Sequence, residues 1–454
     1  MLKALKVVSG GLLFASLGCG TEGSVDEPVT QVQSALAAAG NDYGVAETVH
    51  SSGAIDLTNP FFQALGSNPR TCATCHSADQ GWTDTSDAIK KLFKQTDGLD
   101  PIFNLVDQGT RPDADVSTKR ARKETFAPST DHALTRFTRN LAATAEFTVV
   151  VSDPSGFSVA PPFLNFRRPT PTANESLVSS ILWTSAPVQV IDTQLEGLMR
   201  GAAQLHEQRD PANPVPVDQQ VLGRQFMKGV FFAQISDKQA GRLDDAGALG
   251  GPTNLSTFTF TLGMNDPAAP GFNPKVFNIF DAWETYAVNN WHGDCQADAR
   301  AAIFRGQEVF NFKEFQISGV TGFNDVMGQE TVTGTCSSCH NVPNVGGHSV
   351  IRMMDIGTTD APNCAPDLPL LTLTNKTTNA VRVTCDLGRG TDGIWADVGR
   401  FRVPPLRGLA ARAPYFHDGQ AKNIKQAIKY HEQRFNIDLS HGRRADLEAF
   451  LGAL

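Results

Sequence analysis

Two five-residue strings, CATCH at residues 72–76 and CSSCH at residues 336–340, decide how this chain folds. In each, two thiols can form thioethers with the vinyl groups of one haem, and the histidine that follows can bind the iron from the same side. A zinc site built from both cysteine pairs and a thioredoxin-like redox pair are the alternatives. Neither explains why a histidine follows both times. The predicted haem c attachment and iron-ligand residues are Cys72, Cys75, Cys336, Cys339, His76 and His340.

The composition and net charge of the chain favour some classes of binding partner over others. The chain has 454 residues, of which 41% are hydrophobic and 19% charged, and this length suffices for two or three domains. A net charge of -8 argues against binding to nucleic acid or to an anionic membrane surface. It is compatible with a basic redox partner.

The first residues are typical of an export signal. Lys3 and Lys6 precede a short apolar run, residues 7–17, that is too short to span a bilayer. The run ends at Cys19, as in bacterial lipoprotein signals, in which this cysteine is acylated; an ordinary cleaved signal is the alternative. We therefore expect a signal at 1–19, a tether at 20–45, and a location in the periplasm or at the outer membrane.

The remaining chain divides around the two haem strings. We predict an N-terminal haem domain at 46–290 with an insertion at 84–165, and a C-terminal haem domain at 291–454. Helical periodicity occurs near 195–206, 297–310, 424–431 and 447–454, and residues 145–151 are the best strand candidate. The expected fold class is mainly α, with two cytochrome c-like haem domains and long loops.

What occupies the second axial position of each iron distinguishes an electron carrier from a catalyst. A protein ligand there saturates the iron, whereas an open or displaceable position lets a substrate bind. For the second haem, His431 is the leading candidate, because it lies on the inward stripe of an amphipathic helix where an unpaired imidazole is costly to bury. A core histidine bonded to a backbone carbonyl is the alternative. Met353, Met354 and His348 are rivals that follow His340 closely. For the first haem, His206 could bind the iron, accept a proton beside it, or simply pack.

Three cysteines remain after the haem thiols and Cys19 are assigned. Cys364 and Cys385 flank a loop rich in Pro, Thr and Asn, and a disulfide between them would stabilise the fold by roughly 3 kcal/mol. The sequence leaves the pairing of Cys295 open.

Residues 403–408 (VPPLRG), 413–419 (APYFHDG) and 167–174 (RRPTPTAN) resemble bacterial di-haem cytochrome c peroxidases. The resemblance implies that the N-terminal haem reacts with hydrogen peroxide and that the C-terminal haem receives electrons from a small cytochrome c or a copper protein. It places Trp183 between the haems and His431 where the family has a methionine ligand. It also implies a calcium ion held partly by the carbonyl of Pro414, and it allows a homodimer.

The chain departs from that family at two places. Trp183 is followed by Thr-Ser-Ala rather than Asp-Gly-Arg, and the family's distal glutamate falls at or beside Gln204, with His206 or Glu207 as substitutes. The leading hypothesis is an exported peroxidase-type oxidoreductase with Trp183 and His206 as catalytic residues. The alternatives are oxidation of an organic or protein substrate, and a non-catalytic di-haem electron carrier.

Overall fold

The computed structural model describes residues 38–157, 161–288 and 293–454. The predicted signal and most of the predicted tether lie outside these residues. No helix among the described residues is both long and apolar enough to cross a bilayer.

Twelve α-helices occur in the described part of the chain. They are α1 Cys72–Cys75, α2 Ser86–Thr96, α3 Lys119–Thr125, α4 Ala127–His132, α5 Asp192–Leu205, α6 Val217–Gly229, α7 Gly251–Leu255, α8 Glu284–Val288, α9 Cys295–Phe312, α10 Asn324–Met327, α11 Ile424–Phe435 and α12 His441–Gly452. The four periodic segments identified in the sequence correspond to α5, α9, α11 and α12, so those helices are confirmed.

Eleven short strands accompany the helices over the same residues. They are β1 Ala38–Gly40, β2 Gly44–His50, β3 Thr135–Arg139, β4 Phe147–Ser152, β5 Phe163–Arg167, β6 Val230–Asp237, β7 Gly241–Arg242, β8 Phe315–Ser318, β9 Thr331–Gly334, β10 Leu370–Asn375 and β11 Val381–Thr384. Strand β4 lies where the sequence predicted a strand.

The prediction of a mainly α fold is wrong. Helix accounts for only 34% of the described residues and strand for 16%, distributed over several small sheets. The strands are short, and two of the seven strand pairings among the described residues join segments distant in sequence, β2 with β6 and β4 with β10. Periodicity within a short window detects amphipathic helices well, but it does not reveal which distant segment will complete a ladder.

A four-stranded antiparallel sheet with the order β1-β2-β6-β7 is built from segments that precede the second haem string and contacts the second half of the chain. All of β6 up to Ile235 is buried, and the backbone N–H of Gln234 donates to the carbonyl of the C-terminal Leu454 over 3.3 Å. Strand β1 and the start of β2 fall in the segment predicted to be a tether, where backbone pairing to the sheet holds them.

The predicted insertion also joins the two halves. Its strand β4 pairs along its whole length with β10, which belongs to the C-terminal half, and β10 pairs in turn with β11. Phe147 and Val151 of β4 pack with Leu371 and Leu373 of β10 in a small core of their own. The insertion is therefore packed against the second haem segment.

Each haem string contacts its own hydrophobic core. Cys72 packs against a cluster built from α5, α6 and Trp82, and Cys336 packs against the cluster formed by α9, α11 and α12. Helices α9 and α12 come very close at Gly306, where a Cβ would lie 1.9 Å from the carbonyl oxygen of Asp446. Only glycine fits at that crossing.

Candidate functional site

The first haem string forms a single tight helical turn, α1. The backbone N–H of Thr71 donates to Thr74 Oγ1 over 2.9 Å, which closes the start of the turn. The backbone N–H of His76 donates to the carbonyl of Cys72 over 3.0 Å, which closes its end. This turn brings the two thiols and the imidazole together.

The second haem string repeats this geometry. The backbone N–H of Thr335 donates to Ser338 Oγ over 3.0 Å, and that of His340 donates to the carbonyl of Cys336 over 3.0 Å. A threonine before the first cysteine and a hydroxyl three residues later occur in both strings. The same capping contacts therefore produce the same turn twice.

All four cysteines of the two strings are free thiols. Burial raises the pKa of Cys72, Cys336 and Cys339 to about 12, so these side chains are uncharged at neutral pH. The predicted disulfide between Cys364 and Cys385 is present, which confirms that pairing. The four thiols that haem attachment requires are therefore separate from the disulfide chemistry of this loop.

The two string histidines share one hydrogen-bonding arrangement. Nδ1 of His76 lies 3.1 Å from the carbonyl oxygen of Trp82, and Nδ1 of His340 lies 2.6 Å from that of Gly346. A carbonyl can only accept, so each Nδ1 carries the proton and each Nε2 holds a lone pair. No described residue hydrogen-bonds to either Nε2. Metal-binding histidines typically make this contact to a backbone carbonyl, so these residues fit a haem iron.

His431 has the same arrangement on α11. Its Nδ1 lies 2.8 Å from the carbonyl oxygen of Ala427, and no described residue hydrogen-bonds to its Nε2. Burial lowers the pKa of His340 to about 4, and the charge of His431 contributes to that lowering, so the two imidazoles are close. Burial also lowers the pKa of His431 from its usual value, which favours the neutral form of this imidazole as well. The carbonyl contact alone would suit a core histidine, but an unengaged Nε2 on an imidazole close to His340 suits a second axial ligand.

The rivals to His431 are less suitable. His348 donates from Nδ1 to the carbonyl of Cys339 over 2.8 Å, but its Nε2 is fully buried among packed protein atoms without a partner. A metal ligand must have its donor atom accessible to the metal. Met353 and Met354 are both buried, and Met354 packs in the hydrophobic cluster beside Cys339.

His206 ends α5 and lies near His76. Burial lowers the pKa of His76 to about 4, and the electrostatic influence of the nearby His206 contributes to that lowering. Nδ1 of His206 lies 2.5 Å from Oδ2 of the buried Asp107, which also receives a two-pronged ion pair from Arg70. Nε2 of His206 makes no hydrogen bond to a described residue. Sequence reasoning identified neither Arg70 nor Asp107. No motif marks Asp107, which lies far from both haem strings in the sequence, and without it nothing distinguishes Arg70.

Glu207, the other suggested substitute for the family's glutamate, is held by the segment that precedes the first haem string. Its Oε2 accepts from the backbone N–H of Leu65 over 2.5 Å, and its Oε1 lies 4.0 Å from the thiol of Cys72. Burial raises the pKa of its carboxyl group. Of the two residues suggested as substitutes for the family's glutamate, Glu207 has one carboxylate oxygen occupied by a backbone N–H, whereas Nε2 of His206 has no partner among the described residues.

Trp183 lies between segments that adjoin the two haem strings. Its indole Nε1 donates to the carbonyl of Arg168 over 2.8 Å, and the guanidinium of Arg168 donates to the carbonyl of Asp84, which follows the first string. On its other side, the ring packs edge-on against Phe401, 6.3 Å between centroids. Phe401 pairs through its backbone with Met354, which packs beside the second string.

One group of three close metal-ligand residues occurs among the described residues: Cys385, His417 and Asp418. Cys385 is in the disulfide, so its sulfur is not an available thiolate. The two remaining residues do not make a metal site.

A cleft of about 280 Å³ opens just after Trp183 in the chain. It is lined by apolar residues such as Pro187 and Ile351 and by three arginines, Arg352, Arg389 and Arg400. Each guanidinium already pairs with an aspartate, as Arg400 does with Asp325 and Asp397.

Comparison with known proteins adds little. The chain matches no known family profile and no curated protein. One solved structure similar to it is titled "Crystal structure of a MauG-like protein associated with microbial copper homeostasis"; the identity is 14%, the likeness covers 67% of this chain and 78% of that one, and the TM-score is 0.34. A likeness this distant does not establish a shared fold, so the argument for function rests on the residues described above.

Proposed function

We propose that this protein is an exported di-haem c-type oxidoreductase that reduces hydrogen peroxide. One haem is attached at Cys72 and Cys75 and reacts with peroxide, and the other is attached at Cys336 and Cys339 and admits electrons. When bound, haem iron supplies one-electron redox chemistry and binds peroxide where an axial position is open. The observation that carries the proposal is the repeated turn, each copy with free thiols and an imidazole whose Nε2 is unengaged.

His340 and His431 are proposed to hold the second haem from its two faces. Both imidazoles are protonated at Nδ1 by their contacts to carbonyl oxygens, and both leave Nε2 for the metal. Two histidine ligands saturate an iron and favour its ferric state, so this site suits electron entry rather than peroxide binding. The donor would be a small cytochrome c or a copper protein.

His206 is proposed to accept a proton from peroxide at the first haem. It lies near His76, its Nε2 has no partner among the described residues, and its Nδ1 donates to Asp107. A positioned base of this kind contributes roughly 10²- to 10⁴-fold to a rate. Trp183 is proposed to relay electrons, since its ring contacts Phe401 on one side and its N–H contacts the Arg168 carbonyl on the other.

The test uses the haem-loaded protein, made in a host that attaches haem c. Mass spectrometry should give two haems per chain, and electron paramagnetic resonance should show one low-spin centre and one that is high-spin or readily opened. Partly reduced protein should change its spectrum on adding peroxide and should oxidise a reduced small cytochrome c. The proposal fails if peroxide causes no spectral change.

The His206→Ala variant separates catalysis from electron carriage. Loss of turnover with an unchanged spin state supports a proton acceptor. Conversion of a low-spin haem to high-spin would identify His206 as an iron ligand and would support the electron carrier. His441→Ala is the matched control, because His441 is exposed at the start of α12. His431→Ala should convert the second haem, and only that one, to high-spin.

The arginine-lined cleft favours a second candidate, oxidation of an organic substrate. The cleft is partly apolar and adjoins the segment that follows Trp183, and its three guanidinium groups, each paired with an aspartate, offer fixed hydrogen-bond donors to a small organic molecule. Peroxide reactivity without oxidation of small cytochromes would favour this function over the first.

A further inference from the structure

We propose that Asp107 is a positioning residue that fixes the tautomer and direction of His206, so that the Nε2 lone pair serves as the proton acceptor at the first haem. The inference deepens the proposed function and rests on it. It also gives a role to the predicted insertion at 84–165, which supplies Asp107 from outside the haem string.

The geometry of the contact defines which ring nitrogen carries the proton. Nδ1 of His206 lies 2.5 Å from Oδ2 of Asp107, and that carboxylate is entirely buried. A carboxylate accepts hydrogen bonds, and therefore Nδ1 carries a proton, which in the neutral ring leaves the lone pair on Nε2. Hydrogen bonding to Arg70 and His206 keeps the pKa of Asp107 below its usual value although burial opposes this, so the carboxylate stays charged.

The Asp107 carboxylate is also held by Arg70. Arg70 Nη1 donates to Oδ1 of Asp107 over 2.7 Å, and Nη2 donates to Oδ2, in a two-pronged pair in which both side chains are buried. Arg70 lies two residues before Cys72, so the clamp is attached to the haem string. This pairing fixes the direction in which Asp107 approaches the imidazole.

His206 is also held by its backbone. Asn68 Nδ2 donates to the carbonyl of His206 over 3.0 Å, and Asn68 Oδ1 accepts from the backbone N–H of Arg70 over 3.1 Å. One side chain thus connects the end of α5 to the approach to the haem string. Both the backbone and the ring of His206 are therefore set relative to α1, which is what a base beside a reacting group requires.

A purely structural ion pair between Arg70 and Asp107 is the competing interpretation. It predicts that substituting Asp107 changes stability but does not act through His206. The two interpretations differ in a property that a structural role would not change, the rate at which the ferric protein binds cyanide. Hydrogen cyanide must give up its proton as it binds, and a nearby base accepts that proton.

The experiment measures cyanide association by stopped flow in the haem-loaded wild type, Asp107→Asn, His206→Ala and the double variant. Asparagine can present its amide N–H₂ to Nδ1, which places the imidazole proton on Nε2 and removes the base. We expect each single variant to slow association about 10²-fold or more, and the double variant to be no slower than His206→Ala. Asp386→Asn is the matched control, because it breaks another buried arginine pair, with Arg167, and should leave the rate unchanged.

Three results would overturn the inference. They are an Asp107→Asn rate within twofold of wild type, an additional slowing by Asp107→Asn in the His206→Ala background, and a wild type that binds no cyanide, since its first iron would already be saturated. If Asp107→Asn does not load both haems, Asp107→Glu replaces it. That variant keeps the charge but shifts the carboxylate by one methylene, and an unchanged rate would again overturn the inference. A wild type that binds cyanide but does not turn over peroxide would instead refute the proposed function.

Discussion

Ionisation of Glu175 should lower the free energy of unfolding as the pH rises, and Glu175→Gln should remove this contribution. Only 2% of Glu175 is exposed, and its Oε2 has no hydrogen-bond partner. Burial raises the pKa of this carboxyl from 4.5 to about 8, against the opposing charge of Arg402. The folded protein therefore holds a proton at Glu175 that the unfolded chain has lost between those two pH values.

The magnitude follows from proton linkage. A folded-state pKa above the unfolded one stabilises the fold at low pH, and the stabilisation is lost as the pH rises through the folded pKa. Glu175 should contribute a fall of about 1.4 kcal/mol per pH unit in the free energy of unfolding between pH 5 and pH 8, or about 5 kcal/mol from pH 4.5 to pH 8. Glutamine has the same shape and does not ionise, so the advantage of Glu175→Gln over wild type should grow by the same amount per unit.

Urea unfolding at pH 5, 6, 7 and 8, followed by far-ultraviolet circular dichroism of the haem-loaded protein, measures this difference. Glu124→Gln is the matched control, because that carboxylate is largely exposed beside Arg120 and its substitution should give a curve parallel to wild type. A difference between Glu175→Gln and wild type that stays constant from pH 5 to pH 8 would refute the reasoning.

Three further outcomes are expected. Replacing both Cys336 and Cys339 by serine should lower the haem content from two per chain to one by mass spectrometry; two retained haems would contradict the assignment. Gly306→Val should destabilise the fold by at least ~2 kcal/mol in urea unfolding, because its Cβ would collide with the Asp446 carbonyl. Cys364→Ser should cost about 3 kcal/mol by the entropy of the released loop, and equal midpoints for variant and wild type would count against this value.

The sequence predicted the elements that depend on local pattern. The helices at α5, α9, α11 and α12 were found because apolar residues recur every three to four positions along each of them. The disulfide between Cys364 and Cys385 was predicted because these two cysteines flank one loop and the haem thiols and Cys19 had other assignments. His431 was identified from its place on the inward stripe of α11, and the structure shows it near His340.

The fold class was wrong because many short strands form, and the two larger sheets depend on pairings between distant segments. Strand β2 finds its partner β6 more than 170 residues later, and β4 finds β10 more than 210 residues later. The free energy of such a ladder comes from cross-strand pairs and burial, neither of which is visible in one segment alone. The roles of Asp107 and Arg70 were not predicted for the same reason. Asp107 contacts both Arg70 and His206, so these contacts join three separate parts of the chain.

The sequence by itself determined the local geometry of residues 72–76 and 336–340, because two thiols and an imidazole within five residues are brought together by one turn of the backbone. It also determined the amphipathic helices, whose periodicity is a local property. Only the tertiary structure decided which imidazole lies near each string and which carboxylate orients His206. Those relations arise when buried polar groups from distant segments must satisfy one another, and that requirement acts only once the chain has folded.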